Sequence, residues 1–319
     1  MKFKTEELKK IEEELAKYLN SDVEFILKIG NYILNSGGKR LRPLLVLIFA
    51  KALKGQNDQN DFPLAVSMEY LHSASLLHDD VVDGAALRRG NPSANRVFGN
   101  DTVVLTGDYM YANALYLFSV YGNIEMIKNV SDAVKKMAEG QLLELKKIGD
   151  IEITEEEYFE ILRGKTAVLF ASCCFVGTEL GKGTQKQKES AYNYGLYIGY
   201  AFQLMDDLLD YIGTEEKLGK PVCNDLREGK LTYPLISVLD KLTEEEKEKV
   251  KNLIRNLNPS DEAINEVKNI VLSKKGDINT INKAKYFVDR AIKELENFPR
   301  SEYIVELENL AKYIIERDY

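Results

Sequence analysis

Two five-residue stretches carry the densest chemistry in the chain. Asp79-Asp80-Val81-Val82-Asp83 and Asp206-Asp207-Leu208-Leu209-Asp210 share the pattern Asp-Asp-x-x-Asp. On a helix Asp79 and Asp83 are i,i+4 neighbours, as are Asp206 and Asp210, so each cluster aims carboxylates at one spot where like charges repel. Their flanks are apolar (Leu76-Leu77 and Val81-Val82; Leu204-Met205 and Leu208-Leu209), which a solvated charge run would not need. Something cationic must compensate, and a set of hard carboxylate oxygens suits Mg²⁺. Magnesium held by few carboxylates usually shares its shell with substrate phosphates. Basic residues should therefore be at hand for an anion.

They are. Lys39, Arg40 and Arg42 follow Gly37-Gly38, and Arg88 and Arg89 follow the first cluster by five and six residues. Lys165-Thr166 interrupt a helical run, while Lys220 and Lys230 lie in the loop after the second cluster. Arginine forks and lysine point charges are the usual grips on phosphate oxygens. The only two histidines are His72 and His78. His72 lies seven residues before Asp79, on nearly the same helix face, so a phosphate contact and a structural role both stay open. His78 reads as structural. Glu69-x-x-His72 has the spacing of a di-iron helical bundle, but such a site needs two motifs and Ser75 stands three residues before His78.

The elements that must position these residues are helices. Only seven prolines occur, and none lies between Pro92 and Pro221. Apolar residues recur at helical spacing, as in Leu8, Ile11, Leu15, Tyr18 and Leu19 or Ile292, Leu295 and Phe298. Thr154-Glu-Glu-Glu157 and Thr243-Glu-Glu-Glu246 read as N-terminal capping boxes. Breaks fall near Gly55–Pro63, Gly84–Pro92, Gly181–Gly183, Gly213–Gly229 and Asn258–Ser260, and none is long enough to divide domains. The expected architecture is all-α, with residues 1–319 forming one domain.

Composition narrows the classes. The net charge of −8 argues against a nucleic-acid partner, which would call for a basic face. Cys173, Cys174 and Cys223 make neither a disulfide framework nor a zinc spacing and read as buried thiols. The Lys- and Glu-rich start is no signal peptide. The apolar stretches Pro43–Ala50 and Ala167–Gly177 fall short of the ~20 residues a spanning helix needs. These features lead us to expect a soluble, cytoplasmic protein.

The motifs in their order resemble the trans-polyprenyl diphosphate synthases. The likeness runs through Gly37-Gly38-Lys39-Arg40-Leu41-Arg42-Pro43, His72 with His78-Asp79-Asp80-Val-Val-Asp83, Leu87-Arg88-Arg89-Gly90 and Gly107-Asp108-Tyr109. It continues through Glu139-Gly140-Gln141, Gly164-Lys165-Thr166-Ala167, Phe202-Gln203-Leu204-Met205-Asp206-Asp207, Gly219-Lys220-Pro221 and Asp225-Leu-Arg-Glu-Gly229-Lys230-Leu-Thr232-Tyr-Pro234. The resemblance implies a helical bundle around a deep central cavity, the isoprenoid synthase fold, commonly working as a homodimer. It places Lys39, Arg42, His72 and Arg89 at isopentenyl diphosphate. Arg88, Lys165, Thr166, Gln203 and Lys220 fall at the allylic diphosphate, with Lys230 nearby in a less defined role. Asp79, Asp83 and Asp206 become the direct Mg²⁺ ligands, typically for three ions, with Asp80, Asp207 and Asp210 in support. The implied reaction is ionisation of the allylic C–O bond, attack by the isopentenyl double bond, and proton loss to the released diphosphate. Phe202 reads as core packing.

Product length hangs on the residues just before the first cluster. Ala74 and Ser75 are small, where aromatic side chains would resemble a short-chain enzyme. At ~5.4 Å per helical turn, roughly one isoprene unit, the tunnel should pass them and be closed lower down by Leu71, by Tyr70 or by a facing residue such as Met137. A medium-to-long product, about C30 to C40, is expected on that scale. The rival readings are a short-chain farnesyl or geranylgeranyl diphosphate synthase, the catalytic subunit of a heteromeric synthase, an inactive partner subunit and a terpene cyclase. The intact second Asp cluster and the Lys39/Arg42 grip speak against the last two. An apolar product implies transient contact with a membrane for its release.

Overall fold

The computed structural model describes residues 5–214, 221–256 and 258–316. Its helices are α1 (Thr5–Tyr18), α2 (Glu24–Asn35), α3 (Leu41–Lys54), α4 (Asp61–Val82), α5 (Ala94–Phe98), α6 (Asn100–Tyr121), α7 (Ile124–Lys147), α8 (Glu155–Leu162), α9 (Val168–Leu180) and α10 (Gln185–Ile212). They continue as α11 (Asn224–Arg227), α12 (Tyr233–Ile236), α13 (Glu244–Ile254), α14 (Asp261–Ser273), α15 (Gly276–Glu294) and α16 (Glu302–Glu316). Among the described residues the only sheet is a two-stranded antiparallel ladder, β1 (Leu87–Arg88) and β2 (Asn91–Pro92). The all-α expectation holds, with that hairpin as a local correction. Among the described residues no helix is long and apolar enough to cross a membrane.

By its contacts the chain sorts into two compact units. The first comprises Met1–Val134, Leu169–Gly195 and Glu294–Leu310; the second comprises Lys135–Val168, Leu196–Lys293 and Ala311–Tyr319.

In the first unit α4 is the central helix. It buries Phe62, Leu64, Val66, Met68, Tyr70, Leu71, Ala74 and Leu77, so it is apolar nearly all round, as a helix enclosed by others must be. Its most extensive seam is with α6, and α3 packs on it next. Pro63 falls within the first turn of α4 rather than in the preceding break, a position where its missing N–H costs nothing. Helix α1 adds Ile11 and Leu15 to the core, with Leu19 just beyond its end. Arg40, 7% exposed, binds Glu12 through Nε at 2.7 Å, Glu69 through Nη1 at 3.0 Å and the Leu34 carbonyl through Nη2 at 2.6 Å. A buried guanidinium needs that full set of partners. It pins the turn before α3 to α1 and α4.

In the second unit both expected capping boxes are present, Thr154 with Glu157 at α8 and Thr243 with Glu246 at α13. Past α8 the helix widens into a π-helical turn, Arg163–Ala167, before α9. Its cause is a close crossing with α7. A Cβ on Gly140 would stand 2.6 Å from the Lys165 nitrogen, and one on Gly164 would stand 2.7 Å from the Lys136 carbonyl. Only paired glycines let the backbones approach so far. All three cysteines are buried free thiols, as expected.

Candidate active site

Both Asp clusters sit at helix C-terminal ends. Asp79 and Asp80 occupy the last turn of α4 and Asp83 caps it; Asp206, Asp207 and Asp210 occupy the last two turns of α10. The helix macrodipole places negative charge at that end. Each cluster therefore stacks carboxylates where they are least welcome, a cost that positive partners must offset.

Within the first cluster the three residues differ. Asp79 is half-buried and Asp83 exposed, while Asp80 is fully buried. Arg88 donates to Asp80 Oδ1 from Nε at 2.8 Å and from Nη2 at 2.5 Å. The hairpin makes this possible. Arg89 and Gly90 both adopt positive φ, 52° and 79°, the pair of left-handed residues a type I′ turn requires. The turn folds Arg88 back onto Asp80. Arg89, next in the chain, reaches the other way and donates to the Gly37 carbonyl.

That contact brings Arg89 to the Gly37–Arg42 segment. Helix α3 begins at Leu41, so Arg42 lies in its first turn, and its guanidinium stacks 4.6 Å from the Phe170 ring centre. Lys39 is exposed just before it. The sequence groups Arg40 with these two, but the structure separates it as the buried pin described above. Burial first, and then the charges of Arg42, Arg89, Arg88 and Arg40, hold the His72 imidazole well below the usual histidine range. His72 is thus neutral within a cluster of arginines. His78 is structural: Nε2 lies 3.0 Å from the Val104 carbonyl and 3.3 Å from Asp108 Oδ1, over Gly107, where a Cβ would collide with the ring. Glu69 is consumed by Arg40, which removes the Glu-x-x-His reading.

In the second cluster Asp206 is half-buried, while Asp207 and Asp210 are 3% and 1% exposed. Tyr158 donates to Asp207 Oδ2 at 2.5 Å, and Gln203 Nε2 donates to Oδ1 at 2.9 Å. Thr166 Oγ1 donates in turn to Gln203 Oε1 at 2.9 Å. Burial pushes Asp207 up to about 7; the two donors oppose this, and Asp206 and Asp210 add to it. Asp210 Oδ2 accepts the Asp225 N–H at 3.1 Å, so it ties down the segment at the start of α11. Lys165, on the π-turn, donates to Glu144 of α7, and Lys230 stands 3.8 Å from the same carboxylate. Glu144, Lys165, Thr166, Gln203, Asp207 and Lys230 line one pocket together with Tyr158 and Asp225. Lys220 lies outside the described residues. The two residues sequence reasoning missed here are Tyr158 and Glu144. Glu144 had a signal: it stands four residues after Gly140, on the face that meets the π-turn. Tyr158, an aromatic among the glutamates of α8, had none.

Ala74 and Leu71 are fully buried and Ser75 is half-buried, with its Oγ on the His72 carbonyl at 2.7 Å. Ser75 and Leu71 descend from Asp79 in i−4 steps, and Ala74 lies one turn below His78 on the row facing α6. Tyr70 departs from this arrangement. Nine residues before Asp79, it points about 180° away from it at ~100° per residue, and its hydroxyl donates to the Leu15 carbonyl of α1 at 2.6 Å. It faces α1.

The donor set fits Mg²⁺. Asp79, Asp83 and Asp206 are the more accessible carboxylates, and Asp80, Asp207 and Asp210 are held by protein donors. An ion that takes one or two carboxylates and completes its shell with phosphate oxygens suits such a set. Among the described residues no three metal-binding side chains converge on one point.

Residues 23–271 match the polyprenyl synthetase family. The chain is 36% identical over 313 residues to octaprenyl diphosphate synthase of Haemophilus influenzae, covering 98% of this chain and 94% of that protein. It is 32% identical over 320 residues to heptaprenyl diphosphate synthase component 2 of Geobacillus stearothermophilus, covering 99% and 98%. Its structure is similar to a polyprenyl synthase from Caulobacter crescentus complexed with calcium and isoprenyl diphosphate, at a TM-score of 0.92 and 32% identity, over 97% of this chain and 94% of that one. Fold and site together define an all-α trans-prenyltransferase with the isoprenoid synthase fold. The chain belongs to the polyprenyl synthetase family.

Proposed function

We propose that residues 1–319 act as one Mg²⁺-dependent catalytic domain that condenses isopentenyl diphosphate with a geranyl, farnesyl or geranylgeranyl primer. The product is an all-trans polyprenyl diphosphate of about C30 to C40, on the scale of roughly one isoprene unit per helical turn. One observation carries this reading. In each cluster the buried carboxylates take protein donors, and the more accessible ones lie at or next to the C-terminal end of the same helix.

Asp79, Asp83 and Asp206 would hold the magnesium, three ions in all, which neutralises charge on the departing diphosphate. Lys165, Thr166, Gln203, Lys220 and Lys230 bind that allylic diphosphate, and Lys165 and Lys230 leave Glu144 to do so. Arg88 also serves the allylic diphosphate, while its bonds to Asp80 hold the end of α4. Lys39, Arg42 and Arg89 grip the isopentenyl diphosphate, and neutral His72 offers it an N–H. Once the allylic C–O bond ionises, the isopentenyl double bond attacks the cation, and a proton is lost to the released diphosphate. No protein nucleophile is needed. Apolar walls must keep water from the cation. Incubating the purified chain with Mg²⁺, labelled isopentenyl diphosphate and farnesyl diphosphate tests this directly. Radioactive polyprenyl diphosphate is expected; its absence overturns the reading for the chain alone.

The likeness to a component 2 protein favours a second reading, that the chain is the catalytic half of a heteromeric synthase. Turnover that appears only on adding a partner subunit would establish it. A homodimer is the simpler assembly: α6 exposes Leu105, Tyr116 and Val120 at 66%, 64% and 52% on one face, an apolar stripe suited to a second copy.

A further inference from the structure

We infer that Tyr158 is a positioning residue for the allylic diphosphate site, acting through Asp207 and Gln203 on Thr166. This rests on the function proposed above. Tyr158 lies in the first turn of α8, 3% exposed, with its ring 5.3 Å from Phe159 and 5.8 Å from Tyr233. Its packing fixes where the phenol points, and the phenol meets Asp207 Oδ2 at 2.5 Å. The other carboxylate oxygen takes Gln203 Nε2 at 2.9 Å.

The consequence follows from hydrogen-bond inventory. Asp207 spends one oxygen on the phenol and accepts the amide at the other, so Gln203 turns its nitrogen to Asp207 and its carbonyl to Thr166. Thr166 Oγ1 donates to that carbonyl at 2.9 Å. The side chains of Thr166 and Gln203 line the same pocket as Lys165 and Lys230. Three elements, α8, the π-turn and α10, are thus locked by one chain of hydrogen bonds whose far anchor is Tyr158. Removing the phenol frees Asp207 to rotate about its side-chain bond. Gln203 then loses the partner that sets its amide, and Thr166 loses its orientation.

The test uses full-length wild-type protein and Tyr158→Phe, which keeps the ring and its packing. Inorganic diphosphate is titrated into each in excess Mg²⁺ by calorimetry, and KM is measured separately for farnesyl and isopentenyl diphosphates. The net worth of one buried hydrogen bond sets the scale of the effect. Tyr158→Phe should bind inorganic diphosphate about tenfold more weakly and raise the allylic KM by a similar factor, leaving the isopentenyl KM unchanged. Gln203→Ala combined with Tyr158→Phe should lose no more than Gln203→Ala alone, since both act on one chain of bonds. Unchanged diphosphate binding and allylic KM in a folded Tyr158→Phe would overturn the inference. So would both KM values rising together with a lowered melting temperature, the mark of a merely structural role. Wild-type protein that binds no diphosphate in Mg²⁺ would remove the proposed site itself, and the inference with it.

Discussion

Arg88 holds Asp80 by two nitrogens on a single carboxylate oxygen, at 2.8 and 2.5 Å, and that oxygen belongs to the one fully buried residue of the first cluster. The pair converts a helix C-terminus crowded with like charge into one that can stand before any metal binds. Arg88→Ala leaves a buried carboxylate without its principal partner, and an abandoned buried charge costs far more than a surface pair is worth. A loss of about 2 kcal/mol in urea unfolding is expected, given that Arg88 is partly exposed. Arg88→Lys should recover only part of it, because one ammonium cannot reproduce the two-nitrogen contact. Equal stability of Arg88→Ala and wild type would contradict this account.

Asp79→Ala and Asp206→Ala should behave in the opposite way. Both residues are half-buried at helix ends, where removing negative charge relieves repulsion, so stability should hold or rise slightly. Activity should fall by at least about a hundredfold, the usual scale for losing a group that stabilises developing charge. Chelating the metal with EDTA should abolish turnover in the wild type, and Mg²⁺ should restore it. Near-normal steady-state rates for either variant in Mg²⁺ would sink the ligand assignment.

These two sets of residues show what was legible in the sequence. The clusters, the basic residues after them and Thr166 announce themselves, because charge set between apolar flanks has to be compensated by a partner of opposite charge. What could not be read is which carboxylate faces out. That depends on the hairpin at Arg89-Gly90, whose I′ geometry turns two adjacent arginines to opposite jobs, and on Tyr158, whose hydroxyl matters only once α8 packs on α10. The π-turn at Lys165 was visible only as an interruption, since its cause, the Gly140–Gly164 crossing, joins residues 24 positions apart. Arg40 shows the converse. Its position beside Lys39 and Arg42 suggests a shared anion grip, and burial against Glu12 and Glu69 assigns it to the frame.

Product length separates residues that sequence spacing alone could not. Ala74→Tyr, filling the row toward α6, should cut the product to roughly C15–C20, some three to four helical turns shorter in tunnel depth, without abolishing turnover. Leu71→Ala should lengthen it. Tyr70→Phe should leave the length unchanged and cost about 1 kcal/mol, the usual worth of one buried hydrogen bond, here that to Leu15. Thin-layer chromatography of the dephosphorylated products reads all three. An unchanged pattern for Ala74→Tyr would remove the tunnel from this side of α4.

His72 makes the fold sensitive to acid. Its folded-state pKa is lowered by burial and by four arginines, while an unfolded histidine titrates near 6.5. Below that pH the unfolded chain binds the proton and the folded one resists it. The stabilisation is therefore present above about pH 6.5 and is lost as pH falls, at no more than about 1.4 kcal/mol per unit. His72→Gln, which cannot be protonated, should flatten the difference in urea midpoint between pH 7.5 and 5.5 relative to wild type. Parallel pH profiles for the two proteins would show that His72 does not titrate as its surroundings imply.

Gly140 offers the sharpest separation of geometry from chemistry, because it carries no functional group at all. A Cβ there would lie 2.6 Å from the Lys165 nitrogen and 2.9 Å from Gly164 Cα. Both are backbone atoms, so no side chain can swing aside. In Gly140→Ala the π-turn must shift away from α7, carrying Lys165 and Thr166 with it. An overpacked contact of this kind costs about 1–3 kcal/mol, even though alanine is the better helix former by about 1 kcal/mol. The net loss of stability should therefore be small, while displacement by under an ångström at these two residues should raise the allylic KM at least tenfold. Isopentenyl KM should stay near wild type, since Lys39, Arg42 and Arg89 belong to the other unit. A Gly140→Ala enzyme with normal kinetics would mean that the crossing does not set the position of Lys165, and that the π-turn has another cause.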